Sequence, residues 1–310
     1  MDLYADPPGT PIQSAARYEA HLGGSSANIA VALRQQGAEV SLVTSVSDDP
    51  VGEFCLAQLD HYGIERDYVR KVGGEARNSL SVVDTCGAQT QSVIYRNHAA
   101  DFQMTTDDIN LVDFAGFSAL ITTGTVFASE PSRNATFHAI ERAKSAGVPL
   151  IFDVDYRPYS WASADEAEQV YSRAAELCDI VIGNDVEFGF MAGAIEKGLE
   201  KARSLARGSG RVIVYKMGEK GAITITKDGE LQTGIYPVDA LKPTGAGDSF
   251  MGGFIAALSA GHPIEKSVLR GSACASIVVS RVGCAPAMPS ASDIDDFIAK
   301  HAGPTLVPVS

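Results

Sequence analysis

The sequence predicts an α/β fold around a largely parallel sheet, with a small antiparallel flap attached. Three observations predict it. Short apolar runs rich in β-branched residues alternate with segments of helical period; several of those segments end in glycine; and one stretch breaks the rhythm with period-two patterning and turn residues.

The chain opens on MDLYADPPGT, and the two prolines of DLYADPP argue against a central strand and assign the segment to the flap. A doubly wound domain ordinarily begins on a buried strand, so either the fold does without one here or the sequence begins a few residues late. A helix is predicted over 27–36, closed by Gly37 as a left-handed C′ residue, and a strand over 40–46. From about Tyr68 to Arg96, period-two segments separated by turn residues read as the antiparallel flap. The alternation then resumes. Strands are predicted over 119–123, 150–154, 180–182, 212–216 and 222–226, and helices over 132–146, 164–177 and 250–260, with Gly147 and Gly261 as stops. Residues 1–20 and 66–100 are thus assigned to the flap, and 21–65 and 101–310 to the α/β core.

Composition narrows the function. The 310 residues are 45% hydrophobic and 20% charged, ordinary for an enzyme, and no segment approaches the roughly 20 apolar residues of a membrane span. The N-terminus lacks the basic and apolar regions of a signal peptide, which points to the cytoplasm. Five scattered cysteines, none in a C-x-x-C pair, read as reduced core thiols. A net charge of −13 disfavours nucleic acid and anionic membranes as partners.

Four clusters carry the chemistry. In Thr244-Gly245-Ala246-Gly247-Asp248 the glycines turn the backbone tightly at the start of a helix, where exposed N–H groups and the helix dipole form an anion hole. Asp248, in the first turn, is suited to take a proton from an attacking hydroxyl. Gly23 and Gly24 let a ligand approach the backbone ahead of a second helix, and Asn28 can both donate to and accept from a sugar hydroxyl. Asn184 and Glu187 follow an apolar strand, where ligands of α/β sheets bind, and can hold Mg²⁺ through water. Lys216, Gly218 and Gly221 offer a cation and close backbone approach, without the G-K-[ST] of a Walker A loop. Singly, each cluster also reads as a helix cap or a glycine turn. Their combination disfavours that reading.

G-G-S-S-A-N-I-A at 23–30 and T-G-A-G-D-S-F at 244–250, with N-D-V-E and K-M-G-E-K-G in order between them, resemble the signatures of the ribokinase-type carbohydrate kinases over essentially the whole chain. The resemblance implies a three-layer fold, a mostly parallel central sheet flanked by helices with a small β lid. It implies ATP and Mg²⁺, with Asp248 as catalytic base and Gly245, Ala246 and Gly247 as the anion hole. Asn184 and Glu187 would serve the metal–nucleotide complex, Lys216, Gly218 and Gly221 the nucleotide, and the segment around Ser272 and Cys274 the adenine. Asp2 looks like the sugar-binding aspartate at the end of the family's first strand, beside Gly24 and Asn28. A homodimer through the lid is a further implication.

Phe152 to Trp161 resembles the branch of the family that acts on keto-deoxy-sugar acids, above all the kinase of myo-inositol breakdown. There Arg157 would hold the substrate carboxylate, with Tyr95 and Arg96 of the lid as further contacts; a bidentate arginine suits a carboxylate, which a neutral sugar lacks. A 2-keto-3-deoxygluconate kinase or a fructokinase-like enzyme is the rival. A non-catalytic or truncated, inactive paralogue is the rival class. Lys242 and Pro243 stand where the family usually has Asp and Thr, a departure from its monovalent-cation site.

Overall fold

A computed structural model describes residues 1–207 and 210–309, which gather into two compact units, Met1–Asp101 with Ile235–Gly303 and Phe102–Gly234 with Pro304–Ser310. The first part of the first unit runs β1 (Asp2–Asp6), β2 (Arg17–His21), α1 (Ser25–Gln35), β3 (Thr44–Ser47), α2 (Pro50–Tyr62), β4 (Val69–Val72), β5 (Leu80–Val83) and β6 (Ser92–Tyr95). Four of these strands form one sheet in the order β2-β1-β5-β6, with β1 antiparallel to β2 and parallel to β5. β1 therefore lies inside this smaller sheet, beside β5 of the segment read as the flap. Pro7 and Pro8 follow the strand instead of interrupting its ladder.

β4 corrects a second expectation. Instead of joining an antiparallel flap, it pairs parallel with β3, from Thr44 against Val69 to Ser47 against Val72. The reason is α2, the crossover between them, which the pattern reading missed. Its signals are nonetheless present: the Asp49 carboxylate accepts from Val51 and Gly52 N–H at 2.9 and 3.0 Å, Pro50 opens the helix, and Gly63 closes it at φ 68°.

The second unit carries α3 (Thr106–Asn110), β7 (Leu120–Thr123), α4 (Ser132–Ser145), β8 (Leu150–Asp153), α5 (Ala164–Leu177), β9 (Ile180–Asn184), α6 (Asp185–Met191), α7 (Gly198–Ala206), β10 (Val212–Lys216), β11 (Ala222–Thr226) and β12 (Gly229–Thr233). The chain returns to the first unit for α8 (Ala246–Ser259), α9 (Ile264–Val279) and α10 (Ala291–Lys300), and adds β13 (Leu306–Val309) to the second. The resulting sheet is ordered β13-β12-β11-β10-β9-β8-β7, parallel from β7 to β10 and antiparallel from β10 to β13. Helices α4 to α7 pack on it as crossovers. Among the described residues, no helix is long and apolar enough to cross a membrane.

In the first unit, α8 packs against both α1 and α9 at distances only glycine permits. A Cβ on Gly252 would lie 2.3 Å from that of Ala32, and one on Gly253 would lie 2.3 Å from the Cys274 sulfur. The contacts Asn28–Asp248 and Ala32–Gly252 follow one another turn by turn, so α1 and α8 run parallel with their N-termini at the same end.

Candidate active site

Two helix N-termini meet at Asp248. Ser25 Oγ donates to its Oδ1 and Asn28 Nδ2 to its Oδ2, both at 2.9 Å, so the carboxylate is held from the first turn of α1 while standing in the first turn of α8. First-turn N–H groups have no intrahelical acceptor, and the two dipoles add their positive ends at one place. Gly245, the residue before α8, is left-handed at φ 85°, and a Cβ there would meet the Cys284 sulfur at 2.8 Å and a Val278 methyl at 3.2 Å. Only glycine fits. Of the expected anion-hole residues, Ala246 turns its N–H back onto Pro243 O, at a long 3.4 Å.

Asn28 is 4% exposed, and its Oδ1 is a buried acceptor without a protein donor. A ligand hydroxyl would satisfy it. Asp2 is buried beside the same loop: a Cβ on Gly23 would fall 2.0 Å from Asp2 Oδ1, so the carboxylate rests on bare backbone. Burial raises its pKa to about 6, against the pull of nearby cations that include Lys242. Gly24 caps α1 at φ 95°, with open space where a side chain would project. Ser25 was missed by sequence reasoning. Its signal was spacing, since residues three apart on a helix share a face and Ser25 therefore accompanies Asn28.

Elsewhere in the first unit the expected residues are less available. Tyr95 is exposed on β6, whereas Arg96 is mostly buried and pairs with Asp101, whose Oδ2 accepts from its Nε at 2.9 Å and its Nη2 at 2.5 Å. Ser272 and Cys274 lie buried on α9. The Cys274 thiol packs beneath Gly253 and burial pushes its pKa up to about 12, which makes it a core group that presents no side chain to an adenine.

In the second unit, Asn184 and Glu187 form a reciprocal capping box on α6: Glu187 N–H donates to Asn184 Oδ1 at 2.9 Å and Asn184 N–H to Glu187 Oε2 at 2.7 Å. Glu187 Oε1 accepts from Tyr156 N–H at 3.3 Å. Burial raises the Glu187 pKa while Lys216 pulls it down, and Lys216 of β10 stands opposite Asn184 of β9 in register. Each Glu187 oxygen thus already accepts a backbone N–H.

Gly218 is left-handed at φ 57° with open space around it, while Gly221, at φ 83°, would place a Cβ 1.8 Å from Thr233 O and is required by the strand return. Arg157 already bridges Asp155 at 2.6 Å and is 43% exposed, so an incoming carboxylate would share the guanidinium. Asp155 is buried at φ 34°, a left-handed position unusual outside glycine.

The model for pfkB family carbohydrate kinases matches residues 1–291. The chain belongs to the pfkB family. Within it, the chain is 34% identical over 306 residues to the 5-dehydro-2-deoxygluconokinase of Geobacillus kaustophilus, covering 97% of this chain and 91% of that one. It is 36% identical over 303 residues to the enzyme of the same name from Photobacterium profundum, covering 96% and 92%. Among solved structures it resembles the Vibrio cholerae fructokinase bound to fructose, ADP and calcium, with a TM-score of 0.83 and 26% identity over 96% of this chain and 95% of that one. The Salmonella enterica aminoimidazole riboside kinase shares the fold, with a TM-score of 0.81 at 23% identity over 96% of each chain. This pfkB member is an ATP-dependent carbohydrate kinase with a ribokinase-like α/β fold, a helix-flanked sheet and a smaller β sheet.

Proposed function

We propose that this pfkB kinase transfers the γ-phosphate of ATP to the terminal hydroxyl of 5-dehydro-2-deoxy-D-gluconate, in myo-inositol degradation. The observation that carries the reading is the clamp on Asp248: a carboxylate fixed by Ser25 and Asn28 where two helix N-termini converge. The substrate assignment is supported by the two relatives of that name at 34% and 36% identity.

In this reading Asp248 accepts the proton of the attacking hydroxyl, and the first-turn N–H groups around Gly245 and Gly247 stabilise charge on the phosphoryl oxygens. Asn28 Oδ1 and Asp2 hold sugar hydroxyls beside Gly24. Arg157 meets the substrate carboxylate, with Arg96 and Tyr95 as further contacts from the β2-β1-β5-β6 sheet, proposed as the lid. Mg²⁺ enters as part of the nucleotide substrate. Asn184, Glu187, Lys216, Gly218 and Gly221 are assigned to that complex, and the backbone near Ser272 to the adenine. A cytoplasmic location and a homodimer through the lid edges belong to the same proposal.

The test is a comparison of kcat/KM for the purified protein on 5-dehydro-2-deoxy-D-gluconate, 2-keto-3-deoxygluconate and fructose. The first is expected to lead, and over fructose by orders of magnitude, because a site built around a carboxylate leaves charged groups unpaired with a neutral sugar. Preference for 2-keto-3-deoxygluconate or fructose would reassign the substrate and leave the kinase chemistry intact.

A further inference from the structure

We infer that the Lys242 ammonium is a built-in cation of the phosphoryl-transfer loop, standing in for a bound monovalent ion and fixing the loop's anion-binding face. Lys242 is completely buried, yet both hydrogen-bond acceptors of its Nζ are neutral main-chain carbonyls, Thr244 O at 2.6 Å and Val278 O at 3.4 Å. A lysine is rarely buried so deeply without a carboxylate partner. Coordination by backbone carbonyls is what a bound alkali cation would receive.

Each acceptor has a consequence. Val278 lies in the last turn of α9, where helix carbonyls carry partial negative charge that favours a cation. Thr244 O belongs to the peptide whose N–H is that of Gly245. In a planar trans peptide the two groups point in opposite directions, so drawing the carbonyl inward to the ammonium turns the Gly245 N–H outward. The lysine is itself anchored, because the N–H groups of Leu241 and Lys242 both donate to Val279 O, at 2.8 and 3.3 Å. Gly245 packs on Val278 and Cys284 immediately beyond, so the loop has little freedom to reorient.

Charge points the same way. Burial lowers the affinity of Lys242 for its proton, while Cys284, Asp248 and Asp2 pull it back up. Asp248, assigned to the transfer, and Asp2, assigned to the sugar, thus both feel this ammonium. It is a positioning residue: it holds the loop and supplies a fixed countercharge. The inference rests on the proposed roles of Asp248 and the loop from Gly245 to Gly247.

The experiment measures turnover of the full chain in potassium, sodium and tetramethylammonium chloride at equal ionic strength, for wild type and Lys242→Ala. Wild-type rates are expected to be the same in all three salts, and marked stimulation by potassium overturns the inference. Lys242→Ala is expected to lower kcat by about 10²-fold with little change in the KM for ATP, and to regain turnover with potassium or ammonium but not tetramethylammonium. A folded Lys242→Ala with near-normal kcat, or with a loss that no small cation repairs, overturns it as well. Should the variant fail to fold, the wild-type salt series still decides. Failure of the underlying reading looks different: Asp248→Asn would then keep its turnover while the wild type still ignores the choice of cation.

Discussion

Asp2 is a carboxylate withheld from water, and its titration couples stability to pH with a definite sign. Burial raises its folded pKa to about 6, so the folded chain binds a proton that the unfolded chain, titrating near 4, has already lost. This group therefore favours folding when protonated; its contribution falls as pH rises from about 4 to about 6, by at most about 3 kcal/mol. Asp2→Asn is expected to raise the melting temperature by a few degrees at pH 7 and to change it little at pH 4, while raising the KM for the sugar. Equal shifts at both pH values would contradict the buried-carboxylate reading. Asp248 and Asn28 were legible in the sequence because each follows a glycine-rich turn into a helix. Ser25 was passed over although it stands three residues before Asn28 on the same helix face, and Lys242 registered only as a departure from a motif because burial is invisible in one sequence.

At the scale of elements, α1 and α8 are the frame of the site. Their close parallel packing brings Ser25 and Asn28 to Asp248, and Gly252 against Ala32 sets the spacing. Gly252→Ala is expected to cost about 1–3 kcal/mol by overpacking and to lower kcat more than the KM for ATP, because it wedges the two N-termini apart. Unchanged kcat in a destabilised variant, measured beside thermal melting, would show that the spacing matters only for folding. The sequence pattern located α4, α5 and the strands β7 to β11 closely, since a continuous apolar run or a helical period is a local property. It missed α2, although the Asp49–Pro50 start, the Gly63 stop and the helical spacing of Cys55, Leu56 and Leu59 were there, and so placed β4 in the wrong sheet.

At the scale of the whole molecule, residues 235–303 join the unit formed by residues 1–101, so helix α8, which carries Asp248, is delivered to the N-terminal glycine turn by a chain that has first built a separate sheet. That return was visible only through the two glycine-rich signatures, because distant segments share no local pattern. The same organisation explains why the two signatures were informative together: Asn28 and Asp248 form one hydrogen-bonded unit at 2.9 Å. The most direct test follows ADP release with 5-dehydro-2-deoxy-D-gluconate for wild type and Asp248→Asn, alongside calorimetric binding of ATP. Turnover is expected to fall by about 10²–10⁴-fold with nucleotide affinity preserved; near-wild-type turnover by Asp248→Asn would contradict the assignment of the base.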